Sequence, residues 1–367
     1  MKSQQGNDTA FFQKKLVEYD KLIDKDIALY VENVQRSTLK KYGKNSREAS
    51  DAYLEVLARG GKHIRGALVM CGYEMLGGSD TKMIVQAARA LEMIHTYLLI
   101  IDDINDRSAT RRGGPSAHKL IAQKHQAHKL LGDSEHFGES IAMNAALVGS
   151  HSAQTLLANL DVESDILIKA LSVLNDALIT TAHGQFNDLY NEVNPSVSDQ
   201  DVMNVMEWKT AYYTFLNPLT FGMVLAGADY GSTDAIAPYA LNAGLAFQLT
   251  DDILGTFGTE FESGKSPMDD MREGKRTLLV NYALKHADAG DVKFLQSMLG
   301  NQKLTKTEFK RCQNIIESSG ALVSARTQAE KLVEQAIDAL DKTRKYWNDE
   351  GVKFLTGLSQ YLLERNS

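Results

Sequence analysis

The sequence has little cysteine, little proline and no excess of basic residues, and each shortage argues against a class of protein. Its two cysteines, Cys71 and Cys312, are far apart and match no zinc-ligand spacing, which is typical of a reducing compartment. The net charge of −7 argues against a surface that binds nucleic acid. Any basic side chains that bind phosphate are therefore local exceptions to an acidic background.

Long apolar runs are also missing. The longest, such as residues 97–101, are too short to cross a bilayer. Residues 1–10 lack the basic-then-apolar order of a signal peptide. We therefore expect a cytoplasmic protein without stable membrane insertion.

What the sequence does contain is helical periodicity. The long proline-free intervals carry Ala, Leu, Met, Lys and Glu with apolar residues three and four apart, and no sustained alternation appears. This pattern predicts an all-α protein, and a chain with 43% apolar residues can bury a sizeable core. Helices are expected near 82–106, 140–160, 165–189, 201–226, 238–255 and 327–347. The prolines fall in or near predicted breaks: Pro115, Pro195, Pro218, Pro238 and Pro267. The long loop 258–274 is a candidate lid.

Two acidic clusters each follow an apolar, helix-like run. Asp102, Asp103 and Asp106 have the spacing of neighbours on a helix, and Asp251 and Asp252 form the second cluster. Carboxylates this close repel one another, so the patch needs a cation to stay ionised at the edge of a buried interior. Carboxylate oxygens suit Mg²⁺, especially beside a phosphorylated substrate. The alternative is a solvated, acidic helix end.

Basic residues follow the first cluster closely. Arg111 and Arg112 come after Asp106, before a turn built on Gly113, Gly114 and Pro115. The arginine fork matches phosphate oxygens, so acids and arginines together indicate a metal-bridged pyrophosphate. The alternative is a surface salt bridge from the arginines back to the acids.

Other candidate residues are weaker when taken singly. Lys62 and Arg65 follow Gly60-Gly61 at a predicted helix start, where backbone N–H groups also favour an anion. The alternative is a glycine turn with two exposed cations. Single lysines usually lie on the solvated surface, and polar residues in apolar helices usually satisfy interior hydrogen bonds. The remaining candidates of these two kinds are Lys209, Thr210, Lys265, Lys275, Gln185, Asp188 and Gln248.

In combination these motifs are specific. The ordered series G-G-K-x-x-R, D-D-x-x-D-x4-R-R-G, G-Q-x-x-D, K-T, F-Q-x-x-D-D and G-K-R-T resembles that of the trans-polyprenyl diphosphate synthases, which include farnesyl and geranylgeranyl diphosphate synthases. The resemblance extends from about residue 60 to residue 275. The two acidic motifs are 251 − 102 = 149 residues apart, so on this reading residues 1–367 form a single domain.

The resemblance implies a fold and a reaction. The fold is a single bundle of long, mostly antiparallel helices around a deep central cavity, with the two aspartate motifs facing each other across its mouth, usually in a homodimer. The reaction is a Mg²⁺-dependent head-to-tail condensation of isopentenyl diphosphate with an allylic diphosphate. It proceeds by ionisation, condensation and elimination of a proton.

The resemblance also implies roles for individual residues. Mg²⁺ would be bound by Asp102, Asp103, Asp106, Asp251 and Asp252. The allylic diphosphate would be held by Arg111, Lys209, Lys265 and Lys275. The diphosphate of isopentenyl diphosphate would be held by Lys62, Arg65, His95 and Arg112. Near the developing cation would lie Thr210 and Gln248.

Four positions depart from the family pattern. Gly255 stands where many members have a third aspartate in the second motif, and Asp269 or Asp270 in the following loop is a candidate replacement through water. The other departures are Gly66 in place of a proline, Ile101 in place of a histidine and Asn144 in place of an aspartate.

Helix geometry suggests what limits the product. Tyr97 and Leu98 precede Asp102 by five and four residues, so each lies about one turn deeper along the helix. Bulky residues there go with short products in the family, which implies fifteen or twenty carbons. The alternative is that Tyr97 is an ordinary core residue.

Two other functions remain open at this stage. A class I terpene cyclase shares the helical fold and a D-D-x-x-D motif, but it needs no second diphosphate site, and Lys62, Arg65 and Arg112 argue against it. A non-catalytic subunit of a heteromeric synthase is suggested by Gly255. The intact first motif argues against that role.

Overall fold

The computed structural model describes residues 2–259 and 266–364, with side chains for all of these except residues 2–6 and residue 230. Over these ranges the prediction of an all-α protein is confirmed. The strands in the described ranges are the two-residue β1 (Thr110–Arg111) and β2 (Gly114–Pro115), which pair antiparallel. The helices in the first half of the chain are α1 (Lys2–Ala58), α2 (Ile64–Glu74), α3 (Thr81–Asn105), α4 (Ala117–Ala127), α5 (Ser134–Ala158) and α6 (Ser164–Val193).

The second half continues in the same way. Its helices are α7 (Asp199–Val205), a π-helix (Met206–Leu216), α8 (Asn217–Leu225), α9 (Tyr230–Phe257), α10 (Asp269–Glu273), α11 (Leu278–His286), α12 (Ala289–Met298), α13 (Lys306–Ser318), α14 (Ala321–Lys342), a 3₁₀ turn (Arg344–Tyr346) and α15 (Asp349–Glu364). The expected helix 201–226 is thus three consecutive segments, and the expected helix 327–347 begins earlier and ends at Lys342. Pro238 does not mark a break, because it lies inside α9. The preceding turn contains the exposed Asp234, so a carbonyl that loses its N–H partner there can be hydrated.

Contacts group the chain into two compact units. The first, here called the Asp102 unit, comprises Leu16–Met70 and Ser79–Leu167. Its centre is α3, which buries Leu91, Met93 and Ile94 completely. The Tyr53 hydroxyl donates a hydrogen bond to Met93 O (2.8 Å). Gly149 of α5 lies against the Tyr53 ring, where a Cβ would be 2.3 Å from a ring carbon.

The second, the Asp251 unit, comprises Met1–Lys15, Cys71–Gly78 and Ile168–Ser367. Its central helix is α9, which packs against the π-helix and α14. A Cβ on Gly244 of α9 would lie 2.6 Å from Ala211 Cα in the π-helix, so the two backbones are in direct contact. On α9 the buried Tyr239 hydroxyl donates to Leu355 O of α15 (2.8 Å).

Among the described residues, two helices, α3 and α6, are long and apolar enough to cross a membrane by length and composition, which differs from the expectation that no segment is. In α3, 67% of the apolar window is buried inside the structure, as is usual for a core helix. In α6 only 17% of the window is buried. The apolar surface of α6 therefore needs another explanation.

Candidate active site

The first acidic motif ends α3. Asp80 caps the beginning of this helix by accepting a hydrogen bond from Met83 N (2.9 Å). Asp102 and Asp103 lie in the last turn, and Asp106 is the C-cap. The helix dipole places partial negative charge at this end, and the last turn contains no basic residue. The three carboxylates therefore create a strong preference for a cation from outside the helix.

Asp103 is the most deeply buried of these carboxylates. Its side chain is 0% exposed, and Arg111 Nε donates to its Oδ1 over 2.8 Å. Arg111 Nη2 lies 3.7 Å from Asp102 Oδ2. Burial raises the pKa of Asp103 to about 6, although Arg111 opposes this. The ion pair back to the acids thus exists for Arg111, but it is buried rather than at the surface.

The β1–β2 hairpin carries the two arginines. Arg112 (φ 52°) and Gly113 (φ 73°) are both left-handed, as a tight two-residue hairpin turn requires. Arg112 Nη1 donates to Val56 O of α1 (3.1 Å). A Cβ on Gly61 would lie 3.3 Å from Arg112 Nη2, so this glycine leaves room for the guanidinium. Gly61 therefore leaves space for the Arg112 guanidinium, and Gly113 completes the turn that carries Arg112.

Arg59 holds this hairpin, although it belongs to none of the sequence motifs. Its Nη1 donates to Arg111 O (3.0 Å) and to Pro115 O (2.7 Å), one on each side of the turn. A Cβ on Gly114 would lie 2.6 Å from Arg59 Cζ. The available signal was the position of Arg59, directly before Gly60.

Arg65 and Arg112 form a second cationic centre around His95. Arg65 lies in the first turn of α2, and its Nη1 is 3.2 Å from His95 Nε2. Burial lowers the pKa of His95 well below its usual value, and Arg65 and Arg112 lower it further. A neutral His95 accepts the hydrogen bond from Arg65 and so orients the guanidinium. Lys62 is exposed in the loop before α2.

Two buried ionisable residues lie beside this loop. His63 Nδ1 is 2.9 Å from Glu92 Oε2, and both side chains are almost fully buried. Glu92 belongs to α3 and precedes His95 by three residues. A charged residue inside an otherwise apolar helix was the signal that the sequence offered for it.

In the Asp251 unit, the π-helix carries Lys209 and Thr210. A Cβ on Gly184 of α6 would lie 2.5 Å from Lys209 N, so only glycine allows α6 to approach so closely. Lys209 Nζ donates to Asp188 Oδ2 (2.6 Å). In the G-Q-x-x-D motif, Gly184 thus allows α6 to approach the π-helix closely, and Asp188 pairs with Lys209.

A chain of hydrogen bonds leads from Thr210 to the second acidic motif. Thr210 Oγ1 donates to Gln248 Oε1 (2.6 Å), and Gln248 Nε2 donates to Asp252 Oδ1 (2.7 Å). Burial raises the pKa of Asp252 to about 7, and nearby Asp270 and Asp251 raise it while Gln248 lowers it. Three carboxylates thus interact closely here, which again favours a cation.

Asp270 lies close to Gly255, the position of the missing third aspartate in the second motif. A Cβ on Gly255 would lie 3.1 Å from Asp270 Oδ2. Asp270, in the first turn of α10, therefore puts its carboxylate near the point where an aspartate side chain at 255 would begin. Lys275 N donates to the backbone oxygen of Asp270 (2.9 Å), which ties the G-K-R-T segment to α10. Lys265 lies outside the described residues.

The donor set fits magnesium by its chemistry. All candidate ligands are carboxylates, which are the hard oxygen donors that this ion prefers. Asp103 Oδ2 is buried and has no hydrogen-bond partner among the described residues. No three His, Cys, Asp or Glu side chains in those residues are already arranged as a complete ligand set. The acids therefore suit the ion, and water or phosphate oxygens would have to complete its coordination.

Three further positions from the sequence have plain structural surroundings. Tyr97 is largely buried and hydrogen-bonds Ser150 of α5, and burial raises the pKa of its hydroxyl. Leu98 is half-buried beside it on α3. Asn144 is exposed on α5 and donates to Ser140 O of its own helix (2.8 Å).

The chain is similar to known prenyl diphosphate synthases. The chain is 29% identical to geranylgeranyl diphosphate synthase of Saccharolobus solfataricus, over 93% of this chain and 98% of that protein. It is 32% identical to geranylfarnesyl diphosphate synthase of Aeropyrum pernix, over 86% of this chain and 94% of that protein.

A solved structure is also similar. The geranylgeranyl pyrophosphate synthase of Corynebacterium glutamicum, crystallised with isoprenyl diphosphate and magnesium, aligns with a TM-score of 0.89 at 29% identity and covers 95% of this chain and 99% of that one. The sequence profile named Polyprenyl synthetase matches residues 46–316, which include both acidic motifs and most of the described cationic residues. The chain belongs to the polyprenyl synthetase family of prenyltransferases.

Proposed function

We propose that the protein condenses isopentenyl diphosphate head-to-tail with an allylic diphosphate, with Mg²⁺ as cofactor, to give a trans-polyprenyl diphosphate of fifteen or twenty carbons. The observation that carries this proposal is the clustering of carboxylates at two separate acidic motifs, with Arg111 paired to Asp103 at the first and Lys209 paired to Asp188 in the same unit as the second. The names of the relatives support the same class of substrate.

Mg²⁺ is proposed to bind to the acidic residues of both motifs, namely Asp102, Asp103, Asp106, Asp251 and Asp252. When bound, it neutralises negative charge that develops on the leaving diphosphate. Arg111 and Lys209 are proposed to hold the same diphosphate, together with Lys265 and Lys275. Arg111 and Lys209 are already close to carboxylates, so small side-chain movements suffice to exchange a carboxylate for a phosphate oxygen.

The second diphosphate is proposed to bind to Lys62, Arg65 and Arg112, with His95 orienting Arg65. The positive charges of Arg65 and Arg112 each lower the pKa of His95. Two guanidinium groups therefore lie around one neutral imidazole. Such a centre favours a multiply charged anion. A substrate with one diphosphate does not need this second centre, which argues for condensation over cyclisation.

The reaction then proceeds by bond changes that need no nucleophilic side chain. The allylic C–O bond breaks and pyrophosphate departs with the electron pair. The double bond of isopentenyl diphosphate attacks the allylic carbon, a C–C bond forms, and a proton passes to the departing pyrophosphate. Thr210 and Gln248 are proposed to turn their oxygens toward the developing cation.

Product length is proposed to depend on Tyr97 and Leu98. The largely buried position of the Tyr97 ring beside α5 supports this role. We expect Tyr97→Ala to give longer products from labelled isopentenyl diphosphate, and Tyr97→Phe to leave the distribution unchanged because it keeps the ring. An unchanged distribution in both variants would remove Tyr97 as the limit.

A homodimer is proposed as the working assembly. The outer surface of α6 exposes Ile179 (58%), Phe186 (55%) and Tyr190 (76%), and α5 exposes Leu147 and Val148. Apolar patches of this kind are uncommon on monomers and usually mark an interface. Light scattering of the wild type is expected to give twice the mass of the chain, and Phe186→Asp is expected to lower it.

The deciding experiment is incubation of the purified protein with isopentenyl diphosphate and dimethylallyl, geranyl or farnesyl diphosphate, with Mg²⁺ or with a chelator. We expect chain elongation that requires both substrates and the metal. Hydrocarbon release from the allylic substrate alone would instead indicate a cyclase. No turnover with any primer, together with activation of a partner subunit, would indicate a non-catalytic role.

A further inference from the structure

The loop that carries Lys62 is held by a buried ion pair. His63 is 3% exposed, and its Nδ1 and Nε2 contact Glu92 Oε2 (2.9 Å) and Asp24 Oδ1 (2.8 Å). Both ring nitrogens therefore lie within ion-pair distance of a carboxylate, so the imidazole is protonated, with Nε2 donating a hydrogen bond to Asp24 and Nδ1 facing Glu92. This ring lies between α1, which carries Asp24, and α3, which carries Glu92.

The backbone of His63 is strained, which shows how firmly the side chain is anchored. Its φ is 37°, a left-handed value that non-glycine residues rarely adopt. Such a conformation persists where surrounding contacts over-determine it. Here those contacts are the two carboxylates, and their effect is to keep the side chain inward while the neighbouring Lys62 is exposed.

Glu92 connects His63 to the helix that carries Arg65. Its Oε1 accepts a hydrogen bond from Gly66 N (3.0 Å), one of the first N–H groups of α2 that lack a partner inside the helix. The Glu92 carboxylate of α3 thus caps the N-terminus of α2, and its negative charge is favourable at this end of the helix. One buried carboxylate therefore holds both the loop and the helix start.

Gly66 explains why this arrangement is possible here. A proline at this position, as in the family pattern noted above, would have no N–H to donate to Glu92. A Cβ on Gly66 would also lie 2.8 Å from Ile23 Cδ1 and 3.3 Å from Glu92 Oε1. The departure from the pattern is therefore coupled to the position of Glu92.

We propose that His63 is a positioning residue for the second diphosphate site, because its ion pair with Glu92 fixes the loop and helix start that present Lys62 and Arg65. This inference rests on the proposed function, in which those two cations bind isopentenyl diphosphate. His63 itself does not contact the substrate.

The first test is the kinetics of His63→Asn and Glu92→Gln. Each variant is expected to raise the KM for isopentenyl diphosphate on the order of tenfold, because small misplacements of binding groups are costly. The kcat and the KM for the allylic diphosphate are expected to change less than about twofold. Equal increases in both KM values, or a lower kcat with unchanged KM, would overturn the proposal.

The double variant His63→Asn/Glu92→Gln separates coupling from general damage. His63→Asn leaves the buried Glu92 carboxylate without its ion pair and Glu92→Gln leaves His63 with Asp24 alone, whereas the double variant places two neutral groups at positions 63 and 92 that can still hydrogen-bond. If the residues act as one unit, the double variant raises the KM for isopentenyl diphosphate by about tenfold, like a single variant. Additive effects, about a hundredfold, would show that they act independently and would overturn the proposal.

A matched control is His125→Asn. His125 is also buried in the Asp102 unit, but its described contacts are Leu131 O and the Phe137 ring. The His125→Asn variant is expected to leave the KM values for isopentenyl diphosphate and for the allylic diphosphate unchanged. If it raises the KM for isopentenyl diphosphate as much as His63→Asn does, the effect is not specific to the ion pair and the proposal fails.

The pH profile provides a readout that a purely steric role would not change. The ionisable groups that interact with His63 are Glu92, Asp24, Asp20 and His95, and Arg112 also acts on Glu92. Since deprotonation of His63 removes the ion pair, the KM ratio of His63→Asn to wild type is expected to approach one above about pH 9. A ratio that stays constant from pH 7 to pH 10 would overturn the proposal.

Lys62→Ala distinguishes this failure from failure of the proposed function. If Lys62→Ala raises the KM for isopentenyl diphosphate and His63→Asn does not, the positioning role is wrong and the function stands. If the wild type does not use isopentenyl diphosphate at all, the function itself is wrong.

Discussion

The buried ion pair of His63 and Glu92 makes a quantitative prediction about stability. Burial lowers the pKa of His63, but the hydrogen bonds and charges of Glu92 and Asp24 outweigh this and raise it from 6.5 to about 9. At about 1.4 kcal/mol per pH unit, this corresponds to about 3 kcal/mol of folding free energy. A similar magnitude, roughly 3–5 kcal/mol, is usual when one partner of a buried ion pair is removed.

The direction of the pH dependence follows from the raised pKa. The stabilisation is fully present below the unfolded pKa of about 6.5, and it is lost as the pH rises through about 9, where folded His63 loses its proton. The difference in unfolding free energy between wild type and His63→Asn is therefore expected to fall from about 3 kcal/mol near pH 6.5 to near zero above pH 9.

Urea unfolding monitored by circular dichroism measures this difference directly. The comparison starts at pH 6.5 because Asp20, beside His63, has its pKa raised by burial to about 6. The double variant His63→Asn/Glu92→Gln is expected to be more stable than His63→Asn alone, since no buried charge lacks a partner. A difference that does not change between pH 6.5 and pH 10 would refute the reasoning.

Three further predictions concern the packing and the acidic motifs. Gly184→Ala is expected to destabilise the protein by about 1–3 kcal/mol in urea unfolding and to lower kcat, because the new Cβ meets Lys209 N; unchanged stability would contradict the close approach. Arg59→Met is expected to cost about 2 kcal/mol, since the charged group donates to two hairpin carbonyls, and a stability equal to wild type in the same assay would argue against that clamp. Asp270→Ala is expected to weaken Mn²⁺ binding, measured by electron paramagnetic resonance, on the order of tenfold. Adding Gly255→Asp to this variant is expected to restore Mn²⁺ binding. Unchanged binding in Asp270→Ala would exclude a role for this carboxylate.

Much of the fold was predictable because it depends on local periodicity. The apolar stripe of α3 and the absence of proline inside it predicted this helix to within one residue at each end. Pro238 was misleading, because it lies inside α9, where the carbonyl of the exposed Asp234 that loses its N–H partner can be hydrated. Local periodicity also did not predict the π-helix, whose backbone is closely approached by Gly184 and Gly244 from two other helices.

Motif chemistry identified the candidate residues but not their partners. Residue type and order along the chain pointed to Asp103, Arg111 and Lys209, because carboxylates and cations at those spacings suit a metal-bound diphosphate. Tertiary packing alone decided that Arg111 neutralises Asp103, that Asp188 pairs with Lys209, and that Glu92 reaches Gly66. These contacts join residues separated by 8 to 26 positions, and the burial that makes them strong arises only when neighbouring helices exclude water.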